Sequence, residues 1–185
     1  MKRIHRQRIA AIVLGTAVIG VAAMVWRNWM SWHNWNAVYR TIDRRFPGVP
    51  TMTPSGLDSL VARVGSDGVV LLDVRTTDEY AVSHLAGAVS APGLEAAERA
   101  LQELPPKTTV VAYCSIGYRS ARMVYRLRRR GYARVYNLRG SIFAWVNTGR
   151  SVFRDGRPVR AVHPFSGFWG RLLRPDYHSW RSAGT

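Results

Sequence analysis

Residues 109–131 read TVVAYCSIGYRSARMVYRLRRRG, and their pattern indicates the class of the fold. It begins with a short continuous apolar run, which is typical of a parallel strand that is buried on both faces. Gly117 lies in the short loop that follows, and from Ser120 to Arg130 apolar side chains recur at helical spacing until Gly131. A strand, a tight loop and a helix in this order predict an α/β sheet.

The same alternation of strands and helices extends on both sides of this stretch. Thr53 and Pro54 have the residue types of a helix N-terminus, and Gly65 is typical of a helix end. Helices are predicted over 54–64, 77–82 and 94–104, and strands are predicted over 69–74, near residue 89 and over 135–138. We therefore expect a central parallel sheet that is flanked by helices.

Cys114, the only cysteine in the chain, lies at the end of the central apolar run. Gly117 allows the loop after it to turn sharply, so that successive backbone N–H groups point into a concavity at a helix N-terminus. Such a concavity binds anions, and the nearest anion would be the thiolate itself. Arg119 adds a positive charge, so we predict a lowered pKa for the thiol without a histidine base. A small buried hydrophobic side chain is the alternative interpretation of a lone cysteine.

Three blocks of the sequence resemble the single-domain rhodaneses, the thiosulfate sulfurtransferase family: LLDVRTTDEYAVSHLAGAVSAPG (71–93), VVAYCSIGYRSARMVYRLRRRGY (110–132) and VYNLRGSIFAWVNTG (135–149). The resemblance implies a rhodanese-like fold and an enzyme in which Cys114 carries a sulfane sulfur as a persulfide. The donor would be a small anion such as thiosulfate, and the acceptor a thiol or cyanide. By the same resemblance, the loop binds the persulfide and the donor through Ser115, Ile116, Gly117, Tyr118, Arg119 and Ser120. We expect no metal and no cofactor.

Other positions narrow this interpretation. Asp73 and Arg75, in the DVR segment of the family, are expected to support the site, either by fixing loops or by their charge. Ser115 stands where many family members carry a charged residue, which weakens the case for thiosulfate as the natural donor. Only four residues separate Cys114 from Arg119, whereas related phosphatases of this fold have five residues between their cysteine and arginine. This spacing counts against phosphate-ester chemistry. An alternative function is a membrane-tethered binding or redox-sensing module whose thiol does not turn over.

The N-terminal part has the pattern of a membrane segment. Residues 1–8 form a basic tail, and 9–26 carry no charge and would extend about 27 Å as a helix, close to the thickness of a bilayer core. A transmembrane anchor in contact with membrane lipid is the preferred interpretation, and a cleaved signal or a buried hydrophobic helix are the alternatives. The basic tail favours a domain on the outer, extracytoplasmic side, with the cytoplasmic face as the other option. Residues 27–50 are a tryptophan-rich linker, and the rhodanese-like domain is predicted over 51–152.

Residues 153–185 form a predicted C-terminal extension. Asp155 and Gly156 stand between two alternating runs and indicate a β-hairpin. The aromatic and basic tail after the hairpin either covers apolar surface of the domain or lies along a membrane. The formal charge of +16 is compatible with a solvated surface or with attraction to anionic lipids and substrates. The arginines are scattered and no recognition motif accompanies them, so we expect no nucleic-acid binding.

Overall fold

A computed structural model of the chain describes residues 35–102, 104, 105 and 107–180. A five-stranded parallel sheet with the strand order β1-β5-β4-β2-β3 forms its centre, and a two-stranded antiparallel hairpin, β6-β7, follows. The strands are β1 (Thr51–Met52), β2 (Val69–Asp73), β3 (Val89–Ser90), β4 (Thr109–Tyr113), β5 (Val135–Leu138), β6 (Val152–Arg154) and β7 (Arg157–Val159). The predicted parallel α/β sheet is confirmed.

Helices flank the sheet and form most of the connections between its strands. They are α1 (residues 35–45), α2 (Pro54–Val64), α3 (Thr77–Val82), α4 (Leu94–Leu101), α5 (Tyr118–Arg129), α6 (Ser141–Asn147) and α7 (Gly167–Gly170). Two 3-10 turns lie at Ser66–Gly68 and Pro175–Tyr177. The predicted N-terminus of α2 is confirmed, because the Thr53 side chain accepts a hydrogen bond from the Gly56 N–H.

The central strands β2, β4 and β5 determine where the polar residues at their carboxyl ends lie. All five residues of β4 are buried, as expected for an apolar strand that is covered on both faces. Asp73 pairs in register with Tyr113, and Ala112 pairs with Asn137. Because parallel strands end at the same edge of the sheet, the residues that follow β2, β4 and β5 meet there.

Two predicted helix boundaries are wrong by a few residues. Helix α4 ends at Leu101 and not at residue 104. Pro105 disfavours a helical conformation at residue 104 itself. Helix α5 begins at Tyr118, two residues before its predicted start. Gly117 is its N-cap with a φ of 106°, a left-handed conformation that glycine adopts readily. As a result, Arg119 lies in the first turn of the helix.

The C-terminal residues pack on the domain. Asp155 and Gly156 both have positive φ angles, as a tight hairpin turn requires, so the predicted hairpin is confirmed. Beyond it, Val162, Leu173 and Tyr177 are buried. This part of the chain therefore covers apolar surface of the domain, which was the first of the two interpretations of the tail.

The predicted membrane segment, residues 9–26, and the basic tail before it lie outside the described residues. Among the residues that are described, no helix is long and apolar enough to cross a membrane. The described residues from Val38 onward form one compact unit. The domain boundaries at residues 51 and 152 stay a prediction.

Candidate active site

Cys114 follows β4 directly, and its thiol lies in the concavity of the loop. The Gly117 N–H donates a hydrogen bond to the Cys114 Sγ over 3.2 Å. A Cβ at position 117 would lie 3.5 Å from Ile42 of α1, so the loop is closely covered on its other side. The thiol is almost fully buried, with 1% of the residue exposed. Of the predicted cradle of backbone N–H groups, the Gly117 N–H therefore contacts the sulfur.

The first turn of α6 holds the loop carbonyls away from the thiol. The N–H of Ile142 donates to the carbonyl of Cys114 over 3.1 Å, and that of Phe143 donates to the carbonyl of Ser115 over 3.2 Å. The Ser141 hydroxyl accepts the Cys114 N–H over 3.0 Å and donates to the Leu138 carbonyl over 3.1 Å. With its carbonyls bonded to α6, the loop presents N–H groups to the sulfur.

The hydroxyl of Ser120 also approaches the sulfur, at 3.5 Å from the Cys114 Sγ. It lies closer to the Asn137 side-chain oxygen, at 2.7 Å. A hydroxyl has one proton to donate, so in the neutral state the shorter contact to Asn137 takes it. A thiolate is a stronger acceptor than a thiol and would compete for this proton. The amide nitrogen of Asn137 in turn donates to the Gly117 carbonyl over 3.1 Å.

A buried carboxylate, Glu79, joins α3 to the loop and to α5. The two terminal nitrogens of Arg119 donate to its two oxygens, each over 2.7 Å. The Ser115 hydroxyl donates to Glu79 over 3.0 Å and accepts from Arg119 over 3.0 Å. Thr76 completes a capping box with the same carboxylate. Both ends of the loop, Ser115 and Arg119, are therefore fixed to one acid.

Burial and charge act in opposite directions on the two anionic groups of the site. Burial raises the pKa of Glu79, but the hydrogen bonds and charge of Arg119 outweigh it and lower the value from 4.5 to about 2. Burial likewise raises the pKa of the Cys114 thiol. The charge of Arg119, the Ser120 hydroxyl and the N–H groups of Ser120 and Gly117 together lower it below its ordinary value. The site therefore favours the thiolate.

Asp73 and Arg75 form a buried ion pair one strand away from the thiol. Arg75 Nη2 lies 2.6 Å from the Asp73 carboxylate and 2.6 Å from the Ser83 carbonyl, to which it also donates. The Tyr113 hydroxyl accepts the Leu85 N–H over 3.0 Å, and the Tyr113 ring lies 5.7 Å from the Arg75 guanidinium. These contacts fix the segments after β2 and α3, as expected if Asp73 and Arg75 support the site by fixing loops.

The structure brings together Cys114, Ser115, Gly117, Arg119 and Ser120 of the predicted site. The side chains of the other two predicted loop residues have different surroundings. Ile116 is buried, and the Tyr118 ring packs edge-on against Phe46, with ring centroids 5.2 Å apart. Within the described part of the chain, no group of His, Cys, Asp or Glu side chains converges as metal ligands would.

Three residues of the site were missed from the sequence: Glu79, Asn137 and Ser141. The pattern Thr76-x-x-Glu79 is a capping-box signature, which predicts a helix start but not a contact with a residue 40 positions later. Ser141 has a φ of 51°, which is uncommon for a residue other than glycine. No local sequence pattern predicts a positive φ at this serine.

The C-terminal extension reaches the same loop. The Phe165 ring lies 4.7 Å from the Arg119 guanidinium. Phe165 has a φ of 64°, and its N–H donates to the His163 ring. Arg119 is therefore held by an acid and an aromatic ring at once.

This arrangement can be compared with known proteins. The family model for the rhodanese-like domain matches residues 57–148. A sulfurtransferase from Allochromatium vinosum is 37% identical over 93 residues, which are 50% of this chain and 86% of that protein. The chain belongs to the rhodanese family.

One further relative agrees with this assignment, and a solved structure shares the fold. The rhodanese domain is 36% identical to the thiosulfate sulfurtransferase PspE of Escherichia coli over 70 residues, 37% of this chain and 67% of that protein. The crystal structure of a thiosulfate sulfurtransferase from Pseudomonas aeruginosa superposes with a TM-score of 0.55 at 24% identity. It covers 63% of this chain, but the chain covers only 22% of that protein, so this likeness concerns the fold.

The lowered pKa of Glu79 predicts a pH dependence of stability. The unfolded state binds the proton near pH 4.5 and the folded state near pH 2, so the contribution of Glu79 is complete above about pH 4.5 and is lost as the pH falls toward 2. Parent protein should lose on the order of 3 kcal/mol more than Glu79→Gln between pH 5 and 2. Urea unfolding at a series of pH values measures this difference. Asp78→Asn, at an exposed neighbouring acid, should follow the parent, and parallel curves for parent and Glu79→Gln would contradict the prediction.

The lowered pKa of Cys114 predicts fast alkylation below the usual titration range of a thiol. Arg119→Met removes the positive charge and should shift the pH profile of iodoacetamide alkylation to higher pH. The double variant Glu79→Gln/Arg119→Met separates this loss from the effect of an unpaired Glu79 carboxylate. Arg63→Met, at an exposed arginine of α2, is the control. An unchanged profile in Arg119→Met would mean that the backbone N–H groups and the Ser120 hydroxyl stabilise the thiolate without Arg119.

Proposed function

We propose that this protein is a sulfurtransferase in which Cys114 carries a sulfane sulfur from a small anionic donor, such as thiosulfate, to a thiol or to cyanide. The observation that supports this most directly is the Cys114 Sγ, which lies in a cradle of N–H groups beside Arg119. A thiolate that is stabilised in this way is the nucleophile that sulfur transfer requires. Sulfurtransferases among the relatives support the same reaction class.

In the first half-reaction, the Cys114 thiolate attacks the outer sulfur of thiosulfate. A new S–S bond forms to Cys114 while the S–S bond of thiosulfate breaks, and sulfite leaves with the electron pair. The negative charge that remains on the terminal sulfur of the persulfide needs hydrogen-bond donors. The N–H groups of the loop from Ser115 to Ser120 are the donors that we assign to it.

Arg119 acts mainly through its charge in this proposal. Its terminal nitrogens already donate to Glu79 and Ser115, so only the Nε–H and one terminal N–H remain for a donor anion. The guanidinium nevertheless lies close enough to lower the pKa of Cys114. We therefore propose that Arg119 stabilises the thiolate and positions Ser115. The backbone N–H groups provide most of the binding of the anionic sulfur donor.

In the second half-reaction, an acceptor thiolate or cyanide attacks the terminal sulfur of the persulfide. The S–S bond to Cys114 breaks, the acceptor keeps the sulfur, and the Cys114 thiolate is restored. Oxidation states balance over the cycle, so no cofactor takes part. A ping-pong cycle of this kind gives parallel double-reciprocal plots at different acceptor concentrations.

A second candidate is a binding or redox-sensing module whose thiol does not turn over. The burial of Cys114, with 1% of the residue exposed, favours this candidate because almost none of the residue is accessible to a sulfur donor. The lowered thiol pKa favours turnover instead. Intact mass after thiosulfate treatment separates the two, since an enzyme gains one sulfur atom on Cys114 and loses it again to cyanide.

Cys114→Ser should keep the fold and lose all transfer. The two side chains are similar in size, but a hydroxyl is far too basic to ionise in this cradle near neutral pH. Thiosulfate:cyanide turnover measures activity, and circular dichroism checks the fold. Ser55→Ala, at an exposed serine of α2, should leave both unchanged. Any sulfur transfer by folded Cys114→Ser would contradict the proposed chemistry.

We further propose that residues 9–26 anchor the protein in a membrane, with the rhodanese domain on the extracytoplasmic side. Their 18 uncharged residues and the basic tail before them support this proposal. The full chain should then remain in the membrane fraction after extraction with alkaline carbonate, and protease added to the outer side should remove the domain. Release by salt would contradict the anchor, and a mature N-terminus near residue 24 would identify a cleaved signal instead.

A further inference from the structure

Two clefts adjoin each other along α5. The smaller, of about 240 Å³, is lined by Arg119 and by residues that follow β2 and β3. The larger, of about 640 Å³, extends to the end of α1, at Arg45 and Phe46. Both clefts are lined by Leu94, Arg122 and Arg126, so they form one continuous depression. We call it the arginine groove.

The charges of this groove have one sign. Arg119, Arg122, Arg126 and Arg129 follow each other at intervals of three or four residues and so share one face of α5. No carboxylate is among the residues that line the groove. Within the described part of the chain, no ion pair involves Arg122, Arg126 or Arg129.

The groove also contains apolar surface between its cations. Leu94 forms part of one wall, and the Tyr125 ring, which is 37% exposed, lies 6.2 Å from the Phe46 ring. The Arg129 guanidinium lies 5.7 Å from the same Tyr125 ring, and that of Arg45 lies 5.4 Å from Phe46. Aromatic rings that flank arginines offer both hydrophobic contact and directed charge.

We propose that the arginine groove docks an acidic segment of a protein that accepts the sulfur. The proposal rests on the proposed function, because it assigns the acceptor of that reaction. Charge complementarity to the line of arginines selects an acidic partner, and the concave apolar surface selects a polypeptide that buries a side chain. A row of arginines also attracts anionic lipid head groups, so the test includes vesicles of an anionic lipid.

The position of the groove specifies where the acidic residues lie in such a partner. Arg119 contacts Ser115, the residue after Cys114, so this end of the groove is the end near the thiol. From Arg119 to Arg129 the helix rises by about 15 Å. An extended chain covers this length in about five residues. The acceptor cysteine should therefore stand within about five residues of a cluster of Asp or Glu.

The transfer step balances without any additional reactant. The acceptor cysteine, as a thiolate, attacks the terminal sulfur of the Cys114 persulfide. The S–S bond to Cys114 breaks, its electron pair returns to the Cys114 sulfur, and the acceptor becomes a persulfide. Docking in the groove raises the local concentration of the acceptor thiol at the loop without altering this chemistry.

The test uses the full-length protein, loaded with sulfur by thiosulfate, and two synthetic peptides. One peptide has a cysteine followed by five residues that include four glutamates, and the other has glutamine at those four positions. The parent should transfer sulfur at least about ten-fold faster to the acidic peptide, and the preference should vanish at 1 M salt, where the screening length is about 3 Å. In the variant Arg122→Gln/Arg126→Gln/Arg129→Gln, the ratio of the two rates should fall to about one.

A matched variant and a binding measurement complete the test. Arg63→Gln/Arg99→Gln/Arg157→Gln removes the same charge from exposed positions outside the groove and should keep the preference. A serine version of the acidic peptide should bind the parent and the matched variant, but not the groove variant, in fluorescence anisotropy.

The outcomes that overturn the proposal are distinct from failure of the proposed function. Equal losses of preference in both variants would mean general electrostatic attraction, and no preference in the parent would exclude an acidic acceptor. Equal binding of the serine peptide by the groove variant and the parent, with loss of binding to phosphatidylserine vesicles in the groove variant alone, would assign the groove to lipid. If the loaded protein transfers no sulfur to cyanide, the sulfurtransferase function fails. Peptide binding by anisotropy still decides on the groove in that case.

Discussion

The carboxylate of Glu79 is the contact on which the geometry of the site depends. It is buried, and it accepts hydrogen bonds from Arg119, Ser115 and Thr76, which lie on three different segments. A buried acid without these partners would be costly, so the segments must adopt this arrangement together. The loop around Cys114 is therefore fixed by a side chain that belongs to a helix on another part of the sheet.

The same acid moderates the electrostatics of the thiol. Arg119 stabilises the Cys114 thiolate, while Glu79 neutralises part of the charge of Arg119. Because Arg119 is shared between the Cys114 thiolate and Glu79, it lowers the pKa of the thiol but attracts other anions less strongly than an unpaired guanidinium would. The backbone N–H groups complete this balance, because they donate to the sulfur but carry no charge to share.

Local patterns in the sequence predicted most of the fold and the centre of the site. The apolar run before Cys114, the glycine in the loop and the helical spacing after it each depend on neighbouring residues only. Contacts between distant segments were not predictable in this way. Glu79 bonds to Arg119, which lies 40 residues later in the sequence. Ser141 contacts the loop because α6 begins next to the loop with a positive φ at Ser141. The start of α5 was misplaced because Gly117 serves as both loop and cap.

Helix α1 lies outside the segment that the chain shares with the rhodanese family model, which begins at residue 57. Nevertheless, its Ile42 and the adjacent Phe46 pack against Gly117 and Tyr118, where the loop that holds the thiol joins α5. The loop that holds the thiol thus has a neighbour outside the segment that the family model covers. A change in this neighbouring segment can therefore alter the packing of the loop while every residue of the matched segment stays the same.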